Sequence, residues 1–210
     1  MKKVISTLLI CGIMLISGCA GSAEVTADGN SVTLTEAGIT IDFPKEYSVL
    51  TGDEIYESLS DAMSSNISPE EMKKSNEENG LRYLVQATNG IDIIVVTAQD
   101  MTPDEDTERT TLADYARQVH DTTIFEYYAS GYRTSENTSL TEATYGGKDG
   151  WVSFFEVTED AEKGSEPEFV IGYIEFMFEE GADIYSIQVG LPEQTDKTTA
   201  AEKFEWIKAQ

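Results

Sequence analysis

Hydrophobic and polar residues alternate at the start of the globular part of the chain. Val32 and Leu34 are separated by a threonine, and residues 39–43 repeat this alternation after a turn at Ala37-Gly38. A period of two places every second side chain on one face of a β-strand, so the pattern predicts two strands. Pro44 ends the second strand because proline has no N–H to donate to a neighbour.

A β-hairpin is the clearest local signal in the chain. Residues 81–88 and 91–98 are two apolar-rich runs joined by Asn89 and Gly90. Asn-Gly is the favoured dipeptide of a two-residue type I′ turn, because both central residues of that turn have positive φ. The sequence therefore predicts two antiparallel strands joined by a two-residue turn.

Four segments carry the signals of a helix N-terminus. Capping-box spacing occurs at Thr51-x-x-Glu54, Thr111-x-x-Asp114 and Thr199-x-x-Glu202. Apolar residues with helical periodicity follow each of these motifs. A fourth helix is predicted from Ser68, a good N-cap that is followed by proline, and its almost entirely polar sequence indicates a surface position.

The last third of the chain is rich in predicted strands, over residues 132–145, 151–157, 169–178 and 184–191. Residues 169–178 begin with apolar side chains at both parities, which is typical of a central strand. The element order is roughly ββ-α-ββ-α-ββββ-α, in which the two helices before residue 81 stand as one α. This order predicts an α+β fold, a mostly antiparallel sheet with flanking helices, in one domain over residues 31–210.

The N-terminus has the pattern of a secretion signal. Lys2 and Lys3 precede a mostly apolar run from Val4 to Ile16, which is too short to span a bilayer. The next residues, Ser17-Gly18-Cys19, resemble a bacterial lipobox. That resemblance implies cleavage after Gly18 and a diacylglyceryl thioether on Cys19, with acyl chains such as palmitate.

This reading predicts how the protein is placed in the cell. We expect residues 1–18 to be a lipoprotein signal peptide and residues 19–30 to be a lipidated cysteine and flexible tether. The tether is small and polar, and eleven flexible residues span about 18 Å on average. The expected location is the extracytoplasmic face of the cell membrane, close to the bilayer.

The chain is strongly acidic, with 39 Asp and Glu residues against 14 Lys and Arg residues, a net charge of −25. Removal of residues 1–18 takes away two lysines and no acid, so the mature charge becomes −27. Such a chain repels nucleic acids and anionic lipid surfaces. We therefore expect no nucleic-acid partner and a membrane attachment that depends on the lipid at Cys19.

Cysteine and histidine are scarce. Cys11 leaves with the predicted signal peptide and Cys19 carries lipid, so no thiol remains for a disulfide, a zinc site or a nucleophile. His120 is the single histidine of the chain. It lies at the edge of its helix's apolar stripe, and we interpret it as structural. The sequence predicts no catalytic residue, no metal site and no cofactor.

Two acidic runs, over residues 100–108 and 159–168, offer oxygen atoms of the kind that Ca²⁺ prefers. The first lacks the alternating ligand pattern and the final glutamate of an EF-hand loop. The second has the composition of a flexible loop. We interpret both as solvated loops, with Ca²⁺ binding as the alternative.

The motif Phe43-Pro44-x-x-Tyr47 resembles the strand, Phe-Pro and aromatic start of the PsbP-like family, with tyrosine in place of the usual tryptophan. The strand Ile184-Tyr185-Ser186-Ile187-Gln188 and the helix with Phe204 and Ile207 resemble that family's C-terminal end. The family includes plant photosystem subunits, Mog-type Ran-binding proteins and lipoproteins of the DcrB and LpqN kind. The resemblance implies an α/β/α sandwich over residues 31–209 that binds a partner or does accessory work at a membrane. It carries over no shared catalytic residues.

These observations favour a non-enzymatic, lipid-anchored module that binds a protein partner. The acidic charge favours a partner with a basic patch. Tyr127, Tyr128 and Tyr132 are the candidate partner surface, because exposed tyrosine clusters favour partner contacts, with packing inside the fold as the alternative. The alternative functions are a small-ligand or lipid-handling lipoprotein and, third, a hydrolase.

Overall fold

The computed structural model describes residues 25–28, 30–63, 67–103, 109–159 and 168–210. The predicted signal peptide, Cys19 and most of both acidic runs lie outside these residues.

The strands are β1 (Val25–Asp28), β2 (Ser31–Leu34), β3 (Ile39–Asp42), β4 (Ser48–Thr51), β5 (Leu81–Thr88), β6 (Ile93–Asp100), β7 (Tyr132–Thr134), β8 (Ser139–Tyr145), β9 (Lys148–Glu159), β10 (Phe169–Glu180), β11 (Asp183–Leu191) and β12 (Ile207–Ala209). The helices are α1 (Asp53–Met63), α2 (Pro69–Glu78), α3 (Leu112–Ala129), α4 (Lys197–Ala201) and the 3₁₀ helix η1 (Glu202–Trp206).

A large antiparallel sheet forms the centre of the fold, with the strand order β4-β5-β6-β11-β10-β9-β7. The long strand β9 also pairs with β8, which precedes it along the chain. β10 lies between β11 and β9, as its apolar pattern predicted, and residues 171–178 are buried on both faces. The α+β fold with a mostly antiparallel sheet is confirmed.

A second sheet, with the order β1-β2-β3-β12, covers one face of the large sheet. Its buried aliphatic side chains pack with residues of β9, β10 and β11 in the main core. Phe204 and Ile207 from the C-terminal segment complete this core. Helix α3 covers the opposite face over β9 and β10, and Tyr56 of α1 contacts Tyr83 of β5 on that same face.

The predicted hairpin between β5 and β6 is confirmed, but its turn is longer than expected. Thr88 pairs with Ile93, which leaves a four-residue loop over residues 89–92. The Oδ1 atom of Asn89 accepts hydrogen bonds from the backbone N–H groups of Ile91 at 2.9 Å and Asp92 at 2.8 Å. The asparagine side chain thus organises the wider loop, and Gly90 has a φ of +85°.

Two of the predicted helix caps are confirmed and two are wrong. Ser68 and Thr111 cap α2 and α3 through their hydroxyl groups. Thr51 instead ends β4, where it pairs with Val85. Thr199 lies inside α4, whose N-cap is Asp196. A capping-box spacing marks a possible helix start, but strand pairing or a nearby aspartate can occupy the position first.

Three strands were not predicted. β4 forms directly before the expected cap of the first helix, β1 forms from residues 25–28 inside the segment expected to be a tether, and β12 forms at the end of the expected terminal helix. β1 and β12 are short and lie at the two edges of the small sheet. Ile207 pairs with Ile41, a partner that is remote in sequence, so local periodicity does not reveal the strand.

Candidate functional site

Helix α3 exposes two large aromatic side chains. Phe125 is 65% exposed and Tyr128 is 58% exposed. Residues three apart are neighbours on a helix surface, so these two rings belong to one patch. The guanidinium of Arg133 lies 4.6 Å from the centre of the Tyr128 ring. We call Phe125, Tyr128 and Arg133 the α3 patch.

The structure separates the three tyrosines that the sequence grouped. Tyr128 is exposed, whereas Tyr132 is half-buried. Tyr127 is only 5% exposed and packs edge-on against Phe155 at 5.9 Å and Tyr132 at 6.3 Å. The expectation that Tyr127 is a surface contact is therefore wrong, because the helix turns this residue toward the sheet. Phe125 was missed, although its position outside the apolar stripe was the available signal.

A buried polar layer lies between α3 and the sheet, centred on Glu175 of β10. The carboxylate accepts hydrogen bonds from the Tyr173 hydroxyl at 3.0 Å, from the Ser186 hydroxyl and from Gln188 Nε2 at 3.1 Å. Burial raises the pKa of Glu175, and these donors offset part of that effect. Burial also raises the pKa of the neighbouring Tyr115 hydroxyl, with a further contribution from the Glu175 charge.

His120 of α3 belongs to the same layer. Its Nδ1 atom lies 2.7 Å from the Ser153 hydroxyl, and Ser153 is the cross-strand neighbour of Glu175. Burial lowers the pKa of His120, while the adjacent Asp121 partly opposes the shift. This position agrees with the expected structural role of the histidine, because its ring bonds α3 to Ser153 of the large sheet.

The polar layer contains the residue types of a hydrolytic site, but not the access that such a site needs. Ser153 is 0% exposed and Glu175 is 1% exposed. A nucleophile must come within contact distance of a substrate carbon. In this arrangement the serine, histidine and glutamate contact other side chains of the protein. The layer stabilises the packing of α3.

A surface cleft of about 320 Å³ lies at the other face of the large sheet. It is formed by the β5–β6 loop, the end of β11 and the C-terminal helices, and we call it the Trp206 cleft. Its side chains include Ile91, Asp92, Glu193, Glu202, Lys203 and Trp206.

The floor of the Trp206 cleft is held by aromatic contacts. The Trp206 ring packs edge-on against Tyr47 at 5.5 Å and Phe43 at 6.4 Å. The Tyr47 hydroxyl donates to Asp92 at 2.8 Å, and Asp92 also pairs with Lys203. Burial, followed by this hydrogen bond and the Asp92 charge, raises the pKa of Tyr47.

The residues that the structure describes include no group of three or more His, Cys, Asp or Glu side chains placed to hold a metal ion. Within the same residues, no helix has the length and apolar character needed to cross a membrane.

The structure is similar to that of cyanobacterial PsbP (CyanoP) from Synechocystis sp., with a TM-score of 0.51 and 10% sequence identity. The match covers 94% of this chain and 99% of that one. The chain has a PsbP-like fold. In this PsbP-like domain the motif residues Phe43 and Tyr47 are buried beneath Trp206, so their role is packing.

Two other solved structures show weaker similarity. LpqN of Mycobacterium tuberculosis, described as involved in cell envelope biogenesis, matches with a TM-score of 0.38 and 13% identity over 81% of this chain and 82% of that one. A Bacteroides thetaiotaomicron protein matches with a TM-score of 0.37 and 11% identity over 83% of this chain and 46% of that one. No protein-family model and no curated protein matches the chain.

Proposed function

We propose that this chain is a lipid-anchored accessory protein of the cell envelope, whose PsbP-like domain binds a protein partner and catalyses no reaction. The observation that carries the proposal is the α3 patch. Phe125 and Tyr128 remain exposed on a helix whose other side packs tightly on the sheet. Cys19 and the lipobox sequence support the anchored location.

The chemistry of the α3 patch suits protein recognition. A few residues supply most of the binding energy in protein interfaces, and tryptophan, tyrosine and arginine are enriched among them. Phe125, Tyr128 and Arg133 combine these residue types on one surface. The acidic net charge favours a partner with a basic patch, since opposite charges accelerate association.

The buried polar layer supports a non-catalytic role. His120 bonds to Ser153, and the Glu175 carboxylate accepts from three side chains of β10 and β11, all inside the fold. The filled contact between α3 and the sheet includes stacked rings of Phe155 and Tyr173 at 4.8 Å. This packing favours a partner-binding module over a carrier that holds its ligand beneath α3.

The proposal is tested by capture from solubilised membranes with the lipidated protein. We expect a specific protein partner with the native chain, and at least about 30-fold weaker binding of that purified partner to Phe125→Ala/Tyr128→Ala. Both side chains are exposed, so the variant should keep its fold. Ile67→Ala, which removes an exposed apolar side chain just before α2, is the control and should bind normally.

Three results would overturn the proposal. The first is equal binding by the aromatic variant and the control. The second is that no protein is enriched over a lipidated protein of unrelated sequence. The third is a stoichiometric lipid or small molecule, found by native mass spectrometry, which would favour the carrier function.

A further inference from the structure

The Trp206 cleft places an indole ring beside carboxylates that are not all neutralised. Asp92 pairs with Lys203 and accepts from Tyr47. Glu193 and Glu202 are exposed, and neither carboxylate has an ion-pair partner among the described residues. The cleft therefore keeps about two negative charges, one from each glutamate, at its rim.

The indole ring already has a cation beside it. The ammonium group of Lys203 lies 5.5 Å from the centre of the Trp206 ring. Cations within about 6 Å of an aromatic face are attracted by its negative π-surface, and tryptophan is the strongest of the three rings. A second cation bound at this cleft would meet both the ring and the two glutamates.

The apolar part of the cleft provides room for a segment of chain. Ile91 is 61% exposed, and it lies with Leu191 and Pro192 along the same cleft. A bound side chain with a long aliphatic stem and a charged end matches this combination of surfaces. Lysine and arginine are the side chains of that kind.

Another cleft of the fold is also lined by acidic and basic residues, but not by a tryptophan. It lies between α1 and α2 and has a volume of about 290 Å³. Lys73 there pairs with Asp53 at 2.7 Å, and Lys74 lies 3.7 Å from Glu78. The lining of that cleft also includes Glu57, Glu70 and Glu77, so the Trp206 cleft is set apart by its indole ring and not by its charge.

The small sheet shows where the N-terminal end of the folded domain lies relative to the Trp206 cleft. Asn30 Nδ2 donates to the backbone oxygen of Tyr47 at 2.8 Å, so the end of β1 nearest Asn30 lies beside the cleft. Val25, at the start of β1, pairs with Leu34 at the opposite end of the strand pair. Cys19 precedes Val25 by six positions, a reach of at most about 20 Å. The predicted anchor therefore joins the domain at the end remote from the cleft.

We propose that the Trp206 cleft binds a basic segment of a protein partner, with a Lys or Arg side chain held by Trp206, Glu193 and Glu202. This inference rests on the proposed function, because it specifies the chemistry of the protein partner at a surface separate from the α3 patch. It predicts binding that weakens as salt increases, since the rim carboxylates are exposed and screened by ions.

The direct test uses the purified full chain in detergent and a defined peptide, acetyl-Gly-Lys-Gly-Lys-Gly-amide, followed by NMR. The chain has two tryptophans, and Trp151→Phe identifies the indole N–H signal of Trp206. We expect this signal to move with a saturable dependence on peptide concentration. The apparent affinity should fall between about 0.05 M and about 0.5 M salt. The same peptide with Glu in place of Lys should cause no saturable change.

Charge-neutral variants locate the site. Glu193→Gln/Glu202→Gln should weaken binding of the lysine peptide by about threefold to tenfold, the range for two exposed ion pairs. Asp121→Asn/Glu142→Gln is the matched control, because it removes two exposed carboxylates elsewhere and changes the net charge equally. We expect the control to retain nearly native affinity.

The proposal is overturned if the Trp206 signal does not respond, if the acidic peptide binds equally, or if the control weakens binding as much as the cleft variant. The capture experiment distinguishes failure of this proposal from failure of the proposed function. If Glu193→Gln/Glu202→Gln captures the partner as well as the native chain does, the cleft proposal is wrong and the proposed partner-binding function stands. If the peptide binds but no partner is captured, the cleft proposal is supported and the proposed partner-binding function is wrong.

Discussion

At the scale of single residues, Glu175 is the most unusual group in the fold. It is a completely buried acid on a central strand, and three donors from β10 and β11 surround its carboxylate. Removal from water penalises the charged form more than these donors stabilise it, so its pKa lies above the ordinary value of a glutamate. The folded state therefore binds a proton more readily than the unfolded state.

This shift predicts how Glu175→Gln changes stability. As the pH rises from the ordinary glutamate pKa toward the raised pKa of the folded state, the native protein must lose a proton that it holds more tightly than the unfolded chain does. The contribution of Glu175 to the free energy of unfolding therefore falls over this range. Glutamine does not titrate, so the variant should gain stability relative to the native chain as the pH rises above the ordinary glutamate pKa.

Urea unfolding at several pH values measures that difference. Glu142→Gln, at an exposed position, serves as the control and should show little change relative to the native chain. A stability difference for Glu175→Gln that is independent of pH, or that shrinks as pH rises, would show that burial does not dominate at this site.

At the scale of elements, the C-terminal segment is part of the main core. The Phe204 ring of η1 lies 5.3 Å from Tyr145 and 5.8 Å from Phe176, and the residue is 1% exposed. The following strand β12 pairs with β3 and joins the small sheet. These contacts connect the end of the chain to β3, β8 and β10.

We expect Phe204→Ala to lower the free energy of unfolding by about 3–5 kcal/mol, because it removes a buried ring and leaves a cavity. Phe125→Ala makes the same chemical change at an exposed position, and its cost should be below about 1 kcal/mol. Urea unfolding of the two variants measures the contrast. Equal costs would mean that the C-terminal segment is not packed as described.

At the scale of the whole molecule, ion pairs connect separate elements despite the excess of acid. Arg82 of β5 pairs with Asp183 of β11 at 2.6 Å and lies 3.7 Å from Glu36, in the turn between β2 and β3. Lys148 at the start of β9 pairs with Glu180 at the end of β10 at 2.5 Å. Arg82 and Lys148 thus join separate elements, while many carboxylates remain on the surface.

The location of the whole protein is predicted to depend on one sulfur atom. Cys19→Ala should release the protein from the membrane fraction or leave it unprocessed, because about 0.8 kcal/mol is lost for each buried CH₂ of the acyl chains. Cys11→Ala, which changes the cysteine in the predicted signal peptide, should leave membrane association intact. Cell fractionation and the mass of the mature N-terminus measure both outcomes. A processed Cys19→Ala protein that stays on the membrane would contradict lipid anchoring.

The sequence by itself determined the features that depend on neighbours along the chain. The alternation of Val32 and Leu34 with threonine was enough for a strand, and Asn89-Gly90 was enough for a hairpin. The caps at Ser68 and Thr111 were also readable, because a hydroxyl reaches a backbone N–H only three residues away. The PsbP-like fold followed from the order of such elements together with short packing motifs.

Only the tertiary structure decided which surfaces and clusters those elements produce. It turned Tyr127 inward and left Phe125 and Tyr128 exposed, and it brought His120 to Ser153 from another element. The Trp206 cleft joins residues near position 91 with residues beyond position 190. Exposure and long-range pairing depend on what covers each face after folding, and no local period in the sequence contains that information.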